Sequence, residues 1–275
     1  MRIVTLVEDN PKRNDLGYEH GVSFYIETSN HFVLFDVGQS DLFIQNAIKL
    51  GIDLSLVDTV IISHGHYDHG GGLSFFLSYN KKAKIYIQST ALDDFYSKRD
   101  SGELTYIGLD KNLDLSRFIV LTGDHIIDDE LTLINQIDGK AYFPLSNQTL
   151  FKKVNQAFQQ DDFIHEQNLL IHDNKKVILL AGCAHKGILN IINQVETVWM
   201  NQSIQAVIGG FHLASRFPEY AETKETILAL GNQLLSKPIN HYYTGHCTGI
   251  TAYNDLKTVL KERLSEFYPG LTITI

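Results

Sequence analysis

The chain of 275 residues has 23 basic and 32 acidic side chains, a net charge of −9 and a hydrophobic fraction of 44%. This acidic balance argues against broad electrostatic attraction to nucleic acid or to an anionic membrane. No stretch approaches the roughly 18 apolar residues of a membrane helix, and the start of the chain turns acidic too soon for a secretory signal, so we expect a cytoplasmic protein.

Five segments of the first half have the apolar or alternating composition that is typical of strands. They are residues 2–7, 22–27, 31–36, 58–63 and 83–88. The second and third segments flank a Thr-Ser-Asn turn, which predicts a β-hairpin. Between the third and fourth segments, Ser40 is suited to cap a helix and Gly51 to end it.

The second half alternates strands with amphipathic helices. Strands are predicted over 176–181, 206–208, 240–244 and 271–275. The helix after the first of these has apolar residues at helical spacing, namely Ile188, Ile191, Ile192, Val195 and Val198 or Trp199. Another helix is predicted over about 222–235. The last helix is expected to bury Leu256, Val259, Leu260, Leu264 and Phe267.

These two halves predict two sheets packed face to face with helices outside, a four-layer αββα sandwich of the α/β class. The length suits one domain, which we predict over residues 1–275. The region 97–168 fits the alternation poorly because turn-forming Asp, Asn and Gly residues interrupt it. We interpret this region as an insertion that borders the active site.

The run from His64 to His69 packs three imidazoles and one carboxylate into six residues directly after a predicted strand. Alternate residues of an extended segment project to one side, so His64 and His66 can bind one ion. The bend that follows can turn Asp68 and His69 towards a second ion. The run therefore predicts one wall of a metal site.

Three later segments share one form, an apolar strand followed by a glycine and then a histidine or cysteine. They supply Cys183 with His185, His212, and His246 with Cys247. Equivalent strand ends would bring these residues to the same edge of the sandwich as the first run, which favours metal ligation over isolated structural histidines. Because both cysteines lie within two residues of a histidine, a disulfide framework is not expected.

These motifs resemble those of a known family. The hairpin, residues 35–38 (FDVG) and residues 63–71 (SHGHYDHGG) closely resemble the metallo-β-lactamase-fold hydrolase superfamily. Residues 182–188, 208–213 and 245–249 resemble one subgroup, that of the 7,8-dihydropterin-6-yl-methyl-4-(β-D-ribofuranosyl)aminobenzene 5′-phosphate synthase. The resemblance covers most of the chain except parts of 97–168, and it implies the four-layer fold.

The resemblance also implies a centre of two divalent metal ions. Its ligands would be His64, His66 and one later histidine for the first ion, and Asp68, His69 and His246 for the second. His185 is our preferred later histidine because it lies two residues beyond Cys183 and can face the same way in an extended strand end. His165 is the alternative.

Cys183 occupies the place where superfamily hydrolases usually have a bridging aspartate. A thiolate binds zinc well, so Cys183 is a candidate ligand, and a buried inert thiol is the alternative. His-rich ligation suits zinc, while iron and manganese also fit mixed histidine and carboxylate sites.

We expect metal-assisted hydrolysis of a small molecule, in which two ions lower the pKa of a bridging water. Asp68 would orient this water, and His212 would face the substrate as a proton donor. Lys98 and Arg99 in the insertion would bind a phosphate or carboxylate of the substrate. Condensation of the pterin type on the same metal centre is an alternative.

Two other classes are compatible with the motifs. A flavodiiron-type redox protein shares the fold but commonly has a glutamate in the first ligand run, where this chain has His66; iron content and a visible absorption band would discriminate. A non-catalytic metal-binding protein would have a closed coordination shell. Nucleic-acid processing fits the charge balance poorly.

Overall fold

A computed structural model describes residues 1–173, 176–198 and 203–275 of the chain. The strands of these residues are β1 (Arg2–Val7), β2 (Ser23–Glu27), β3 (Phe32–Phe35), β4 (Thr59–Ile61), β5 (Lys84–Gln88), β6 (Asp94–Lys98), β7 (Leu104–Tyr106), β8 (Phe118–Leu121), β9 (His125–Ile126), β10 (Leu131–Ile134), β11 (Leu150–Val154), β12 (Ala157–Gln160), β13 (Asn168–Asp173), β14 (Lys176–Leu180), β15 (Ser203–Ile208), β16 (His241–Thr244), β17 (Leu264–Glu266) and β18 (Thr272–Thr274). Their α-helices are α1 (Leu42–Lys49), α2 (Tyr67–Gly70), α3 (Leu73–Tyr79), α4 (Ile188–Val198), α5 (Lys224–Ser236) and α6 (Ile250–Leu260). None of these helices has the length and apolar character that crossing a membrane requires.

Within the described residues the strands form two seven-stranded sheets and one four-stranded sheet. The first large sheet has the order β18-β1-β2-β3-β4-β5-β8, antiparallel from β18 to β3 and parallel from β3 to β8. The second has the order β17-β16-β15-β14-β13-β10-β9, parallel from β17 to β14 and antiparallel from there to β9. Each large sheet therefore combines hairpin pairing with β/α crossovers.

The two large sheets pack face to face because alternate residues of each strand are apolar on the inner side. One buried cluster contains inner residues of both sheets, among them Ile3, Phe24, Phe35, Leu133, Leu169, Ile178 and Leu180. The intervening residues point outward and form two further clusters. The outer cluster of the first sheet includes residues of α1 and α3, and that of the second includes residues of α4, α5 and α6. The four-layer α/β prediction is confirmed.

Most predicted elements agree with the structure, and two local predictions do not. β1 spans Arg2–Val7, and β2 pairs with β3 as the expected hairpin. The N-cap of α1 is Asp41, whereas Ser40 Oγ accepts a hydrogen bond from the Leu42 amide at 3.2 Å. Trp199, one of the two residues proposed for the last apolar position of α4, lies outside the described residues.

The prediction that Leu264 and Phe267 belong to the last helix is wrong. α6 ends at Leu260, and Leu264 begins β17, which pairs in parallel with β16. Both residues are nevertheless buried. Apolar spacing identified their burial, but over such a short stretch it does not distinguish a helix from a strand.

Residues 97–168 contribute to all three sheets. β8 ends the first large sheet, while β9, β10 and the start of β13 belong to the second. The four-stranded sheet has the order β12-β11-β6-β7. The region supplies all of this sheet except the first residues of β6, which lie before residue 97. This small sheet supplies Ser97 and Leu150 to the wall of the cavity described below.

Phe24 tests the core between the sheets. Its side chain is fully buried and packs edge to face on Phe267, with ring centroids 5.1 Å apart. We expect Phe24→Ala to lower the free energy of unfolding by about 3–5 kcal/mol in urea denaturation. Phe158 is 48% exposed, so Phe158→Ala is the matched control, with a much smaller expected change. Equal losses in the two variants would contradict this core.

Candidate metal centre

Four strand ends bring the predicted ligands to one edge of the sandwich. β4 leads into the run that begins at His64, β14 into Cys183 and His185, β15 into His212, and β16 into His246. β14, β15 and β16 are parallel neighbours, so their carboxyl ends lie side by side. Ligands of open α/β sheets commonly bind outside such carboxyl ends.

The strand ends open into a cavity of about 320 Å³. Its wall includes six of the histidine, cysteine and aspartate residues expected in the site, namely His66, Asp68, Cys183, His185, His212 and His246. Residues from other parts of the chain complete it, among them Asp9, His20, Ser97, Arg99, Arg216 and Cys247. A cavity of this size accommodates a small molecule.

His64 and His185 form, with Cys183, the first group of potential ligands. Nε2 of His64 lies 3.3 Å from Nε2 of His185, and two nitrogens bound to one tetrahedral zinc ion are about 3.3 Å apart.

His66, whose ring nitrogen lies within 4.8 Å of ligand atoms of Asp161 and His165, is beside this group. The His66 ring centroid lies 4.6 Å from that of His64 and 5.1 Å from that of His185. Nε2 of His66 is buried and has no hydrogen-bond partner among the described residues, although Oδ2 of Asp161 lies 3.8 Å away. Because an unsatisfied buried polar atom costs free energy, this nitrogen fits a cation site.

Asp68, His69, His246 and Cys183 form the second group. Asp68 Oδ2 lies 3.5 Å from His69 Nε2 and 3.4 Å from His246 Nε2. The Cys183 sulfur lies 3.1 Å from His69 Nε2. One ligand atom from each of the four residues lies within 4.8 Å of the others, and all four side chains are buried. A carboxylate, two imidazoles and a thiol are a ligand set that suits zinc.

Cys183 lies where the two groups meet. Its sulfur is within 4.8 Å of ligand atoms of His64 and His185 as well as of the second group. This is the location that a ligand shared by two cations would need.

His165 has both ring nitrogens occupied by protein contacts. Its Nδ1 accepts a hydrogen bond from the Gly65 amide at 3.0 Å, so the proton of the neutral ring lies on Nε2. That Nε2 is 3.0 Å from Asp161 Oδ2. His165 therefore stabilises the backbone of the His64–His69 run through its hydrogen bond with Gly65. Because both of its nitrogens already have protein partners, His185 is favoured as the third histidine for the predicted first ion.

Asp36 and Ser63 fix the two histidines at the ends of the first run. Asp36 Oδ2 lies 2.7 Å from His69 Nδ1 and accepts a hydrogen bond from Ser63 Oγ at 2.7 Å. Because the serine proton is directed to Asp36, His64 Nδ1–H donates to Ser63 Oγ at 2.8 Å. Both imidazoles therefore turn an unprotonated Nε2 towards the centre. A Cβ at Gly182 would lie 2.2 Å from Ser63 Oγ, so this contact requires glycine there.

Asn147 and Asp9 hold two further histidines in the same way. Asn147 Oδ1 lies 3.0 Å from His185 Nδ1, and its amide nitrogen donates to the His185 carbonyl at 2.8 Å. Asp9 Oδ1 lies 2.7 Å from His246 Nδ1, and Asp9 Oδ2 lies 2.8 Å from His20 Nδ1. The sequence analysis missed Asn147, Asp9 and His20 because none of them belongs to a motif with ligand spacing.

The electrostatics of the site favour the metal-binding protonation states at His64, His185 and Asp68. Burial, reinforced by neighbouring histidines, lowers the pKa of both His64 and His185 well below its usual value. Burial raises the pKa of Asp68, but neighbouring histidines, His69 first, outweigh it and hold that pKa well below its usual range. Neutral imidazoles and an ionised carboxylate are the forms that coordinate metals.

Burial lowers the pKa of His246, but neighbouring Cys247, Asp68 and Asp9 outweigh it and hold that pKa well above its usual value. Burial raises the pKa of the Cys183 thiol.

His212 lies beside the two ligand groups. Its ring centroid is 4.1 Å from that of His185, and both of its ring nitrogens are buried without a hydrogen-bond partner in the described residues. One of these nitrogens lies within 4.8 Å of the sulfurs of Cys183 and Cys247. His212 therefore lies on the cavity wall with two ring nitrogens that form no hydrogen bond to the described residues.

Lys98 and Arg99, the predicted substrate-binding pair, have different surroundings. Arg99 lines the cavity, whereas Lys98 is not among its lining residues and has its Nζ 5.9 Å from the centroid of the Phe217 ring. Arg216, which the sequence analysis missed, lines the same cavity. Neither Arg99 nor Arg216 makes an ion pair within the part of the chain that the structure describes.

Comparisons with known proteins identify the family to which the chain belongs. The sequence profile of the metallo-beta-lactamase superfamily matches residues 16–141. A solved structure, Tm1679, described as a metal-dependent hydrolase of the β-lactamase superfamily, is 31% identical over 100% of this chain and 99% of that chain, with a TM-score of 0.82. The chain belongs to the metallo-β-lactamase superfamily.

Two relatives from Methanocaldococcus jannaschii are similar over nearly the whole chain. The 7,8-dihydropterin-6-methyl-4-(beta-D-ribofuranosyl)-aminobenzene-5′-phosphate synthase is 27% identical over 99% of this chain and 96% of its own length. The uncharacterized protein MJ0448 is 24% identical over 92% of this chain and 93% of its own length. Zn²⁺-bound PqqB from Methylobacterium extorquens, at 11% identity and a TM-score of 0.58, shares the fold.

Asp36 tests the orientation of the ligands. Asp36→Asn keeps a residue that tolerates the observed φ of 57°, but it removes a charged acceptor for His69 Nδ1–H. We expect the affinity for zinc, measured by competition with a chelator, to fall about 10–100-fold. Asp110→Asn is the control, since Asp110 is exposed and belongs neither to the ligand groups nor to the cavity wall. An unchanged zinc affinity in Asp36→Asn would show that metal binding does not depend on the contact between Asp36 and His69.

Proposed function

We propose that this protein is a hydrolase that uses two divalent metal ions to cleave a bond in a small phosphate- or carboxylate-bearing metabolite. The observation that carries the proposal is the pair of buried ligand groups that meet at Cys183 beside one small-molecule cavity. Similarity at 31% identity to a metal-dependent hydrolase over the whole chain supports it.

In this proposal each group of ligands holds one cation, and Cys183 is shared. The ligands are His64, His66 and His185 for the first ion, and Asp68, His69 and His246 for the second. Divalent ions supply a lowered pKa of water and a polarised carbonyl or phosphoryl oxygen. Zinc suits this set best because imidazole and thiolate are its usual ligands, and iron or manganese would fit the mixed histidine and carboxylate ligands.

Asp68 and His212 have the proposed catalytic roles. Asp68 is buried beside both His69 and His246 and is ionised, so it would accept a hydrogen bond from the attacking water and orient it. His212 lines the same cavity with ring nitrogens that the described protein groups leave unengaged. It would donate a proton to the leaving group.

Arg99 and Arg216 are proposed to bind the anionic group of the substrate. Both line the cavity and neither is neutralised by an ion pair in the described residues. In a chain of net charge −9, two such guanidinium groups at one cavity favour an anion there. A guanidinium can form two parallel hydrogen bonds to a phosphate or carboxylate.

A condensation reaction is the second candidate function. The M. jannaschii relative that is 27% identical over 99% of this chain is a synthase. In a condensation, the buried donors and cations of the site would stabilise developing negative charge without adding water to the product. Hydrolysis in ¹⁸O-labelled water incorporates the label into product, and condensation does not, so this measurement separates the two.

Metal removal tests the hydrolytic proposal. With bis(p-nitrophenyl) phosphate as a phosphodiester probe, chelator-treated protein should lose turnover and regain it with added zinc, manganese or iron. His66→Ala and Asp68→Asn should each lower kcat/KM at least ~10³-fold, about 4 kcal/mol of barrier. His125→Gln is the control, because His125 lies on β9 away from the cavity. Undiminished turnover by metal-free protein would refute metal-assisted hydrolysis.

Substitution of Arg99 and Arg216 tests whether they bind the anionic group of the substrate. Arg99→Gln and Arg216→Gln should each raise the inhibition constant of inorganic phosphate about 10-fold or more, because each loses a charged hydrogen bond of ~1.5–3 kcal/mol. Lys98→Gln removes the same charge from the adjacent residue, which is absent from the cavity wall, and should change the constant little. Equal effects in all three variants would indicate only the loss of long-range attraction.

A further inference from the structure

Cys183 and Cys247 are the two cysteines of the chain, and the fold brings them together. They follow β14 and β16, which lie on opposite sides of β15 in the sheet. Both are free thiols on the wall of the cavity. The Cys247 thiol donates a hydrogen bond to the Cys183 carbonyl oxygen, with its sulfur 3.7 Å from that oxygen. Their sulfurs lie within 4.8 Å of each other.

Gly210, on the loop after β15, leaves the space between these cysteines open. A Cβ at this position would lie 2.4 Å from the Cys247 sulfur and 3.5 Å from the Cys183 Cα. Any other residue would therefore displace the Cys247 thiol. The close approach of the two sulfurs depends on this glycine.

We propose that Cys183 and Cys247 are a reversible oxidation site, at which a hydroperoxide converts the two thiols into a disulfide. The short sulfur separation means that a small side-chain rotation, without refolding, would bring them to bonding distance. Cys247 is the more exposed of the two and lines the cavity, so it reacts first, whereas Cys183 is only 2% exposed. The second thiol then resolves the oxidised first one.

The reaction balances as two steps. In the first step the Cys247 sulfur loses its proton, attacks the hydroperoxide and displaces an alkoxide. The alkoxide takes up a proton and becomes an alcohol, and Cys247 becomes a sulfenic acid. The Cys183 sulfur, losing its proton, displaces hydroxide from the sulfenic acid and forms the S–S bond. Overall, two thiols and one hydroperoxide give one disulfide, one alcohol and one water.

This modification would compete with metal binding. The Cys183 sulfur lies 3.1 Å from His69 Nε2 and within reach of both ligand groups. A disulfide sulfur has no negative charge and is a much poorer metal ligand than a thiolate, so the oxidised protein should hold its metals more weakly. Conversely, a bound cation should protect Cys183. This consequence rests on the proposed metal centre, but the pairing of the thiols does not.

The pairing is tested on metal-free full-length protein treated with one equivalent of hydrogen peroxide. We expect about two thiols per chain to disappear in a thiol count made under denaturing conditions. Peptide mass spectrometry should find the Cys183 and Cys247 peptides joined, and dithiothreitol should restore both thiols. Zinc-loaded protein should react at least ~10-fold more slowly. Oxidation to sulfinic acid without pairing, or disulfides between chains only, would overturn the proposal.

Two variants sharpen the test. In Cys247→Ser the remaining Cys183 thiol is buried, and we expect it to survive the peroxide treatment that consumes it in the wild type. In Cys183→Ser the exposed Cys247 should stop at the sulfenic acid, which dimedone traps. Loss of Cys183 in Cys247→Ser at the wild-type rate would refute the order of reaction and the pairing. Because thiols rather than turnover are measured, failure of the hydrolase proposal would leave this result unaffected.

Discussion

The buried carboxylate of Asp36 is the interaction on which the geometry of the site depends. It lies directly after β3 and is 0% exposed. It accepts hydrogen bonds from the amide and the hydroxyl of Ser63, both at 2.7 Å, and His69 Nδ1 lies at the same distance. Without these partners a buried carboxylate would be very costly, so the loop after β4 has little freedom. Asp36, at the end of hairpin strand β3, therefore fixes the ligand loop that follows β4. The same contacts hold the backbone of Asp36 at its unusual φ of 57°.

The same packing makes the metal-free cluster energetically expensive. His64 and His185 face each other through Nε2 atoms 3.3 Å apart, and Nε2 of His66 is buried with no hydrogen-bond partner among the described residues. A cation placed among these atoms would offset that cost in the folded chain and find no equivalent site in the unfolded one. Metal binding should therefore add to the stability of the whole sandwich, by an amount that grows with the logarithm of the metal concentration relative to its dissociation constant. Fold and centre are thus coupled, because the sheets assemble the ligands and the ion stabilises that assembly.

The chemistry at the strand ends could be predicted from the sequence, and the surroundings of the cavity could not. Residues such as His64, Cys183 and His246 follow apolar strands that carry a periodic signal, and parallel pairing brings strand ends together. Asn147 and Arg216 lie in long connections whose path depends on tertiary contacts, so their arrival at the cavity has no local pattern. Leu264 shows a second limit of prediction from the sequence. Its apolar spacing correctly indicated that the side chain is buried, but it did not distinguish a helix from a strand.

The volume of the cavity bears on which reaction the centre serves. At about 320 Å³ it lies near the lower end of the range for small-molecule sites, which is roughly 300–1,000 Å³. A hydrolase needs room for one metabolite and a water, whereas a condensation must hold two organic substrates at once. The volume of this cavity alone favours the hydrolase. A neighbouring cavity of about 460 Å³ shares Asp9 and His246 with it, so a second substrate would find space beside the centre. The ligand groups stand on strand ends between these two spaces, and one metal centre is therefore compatible with both reactions.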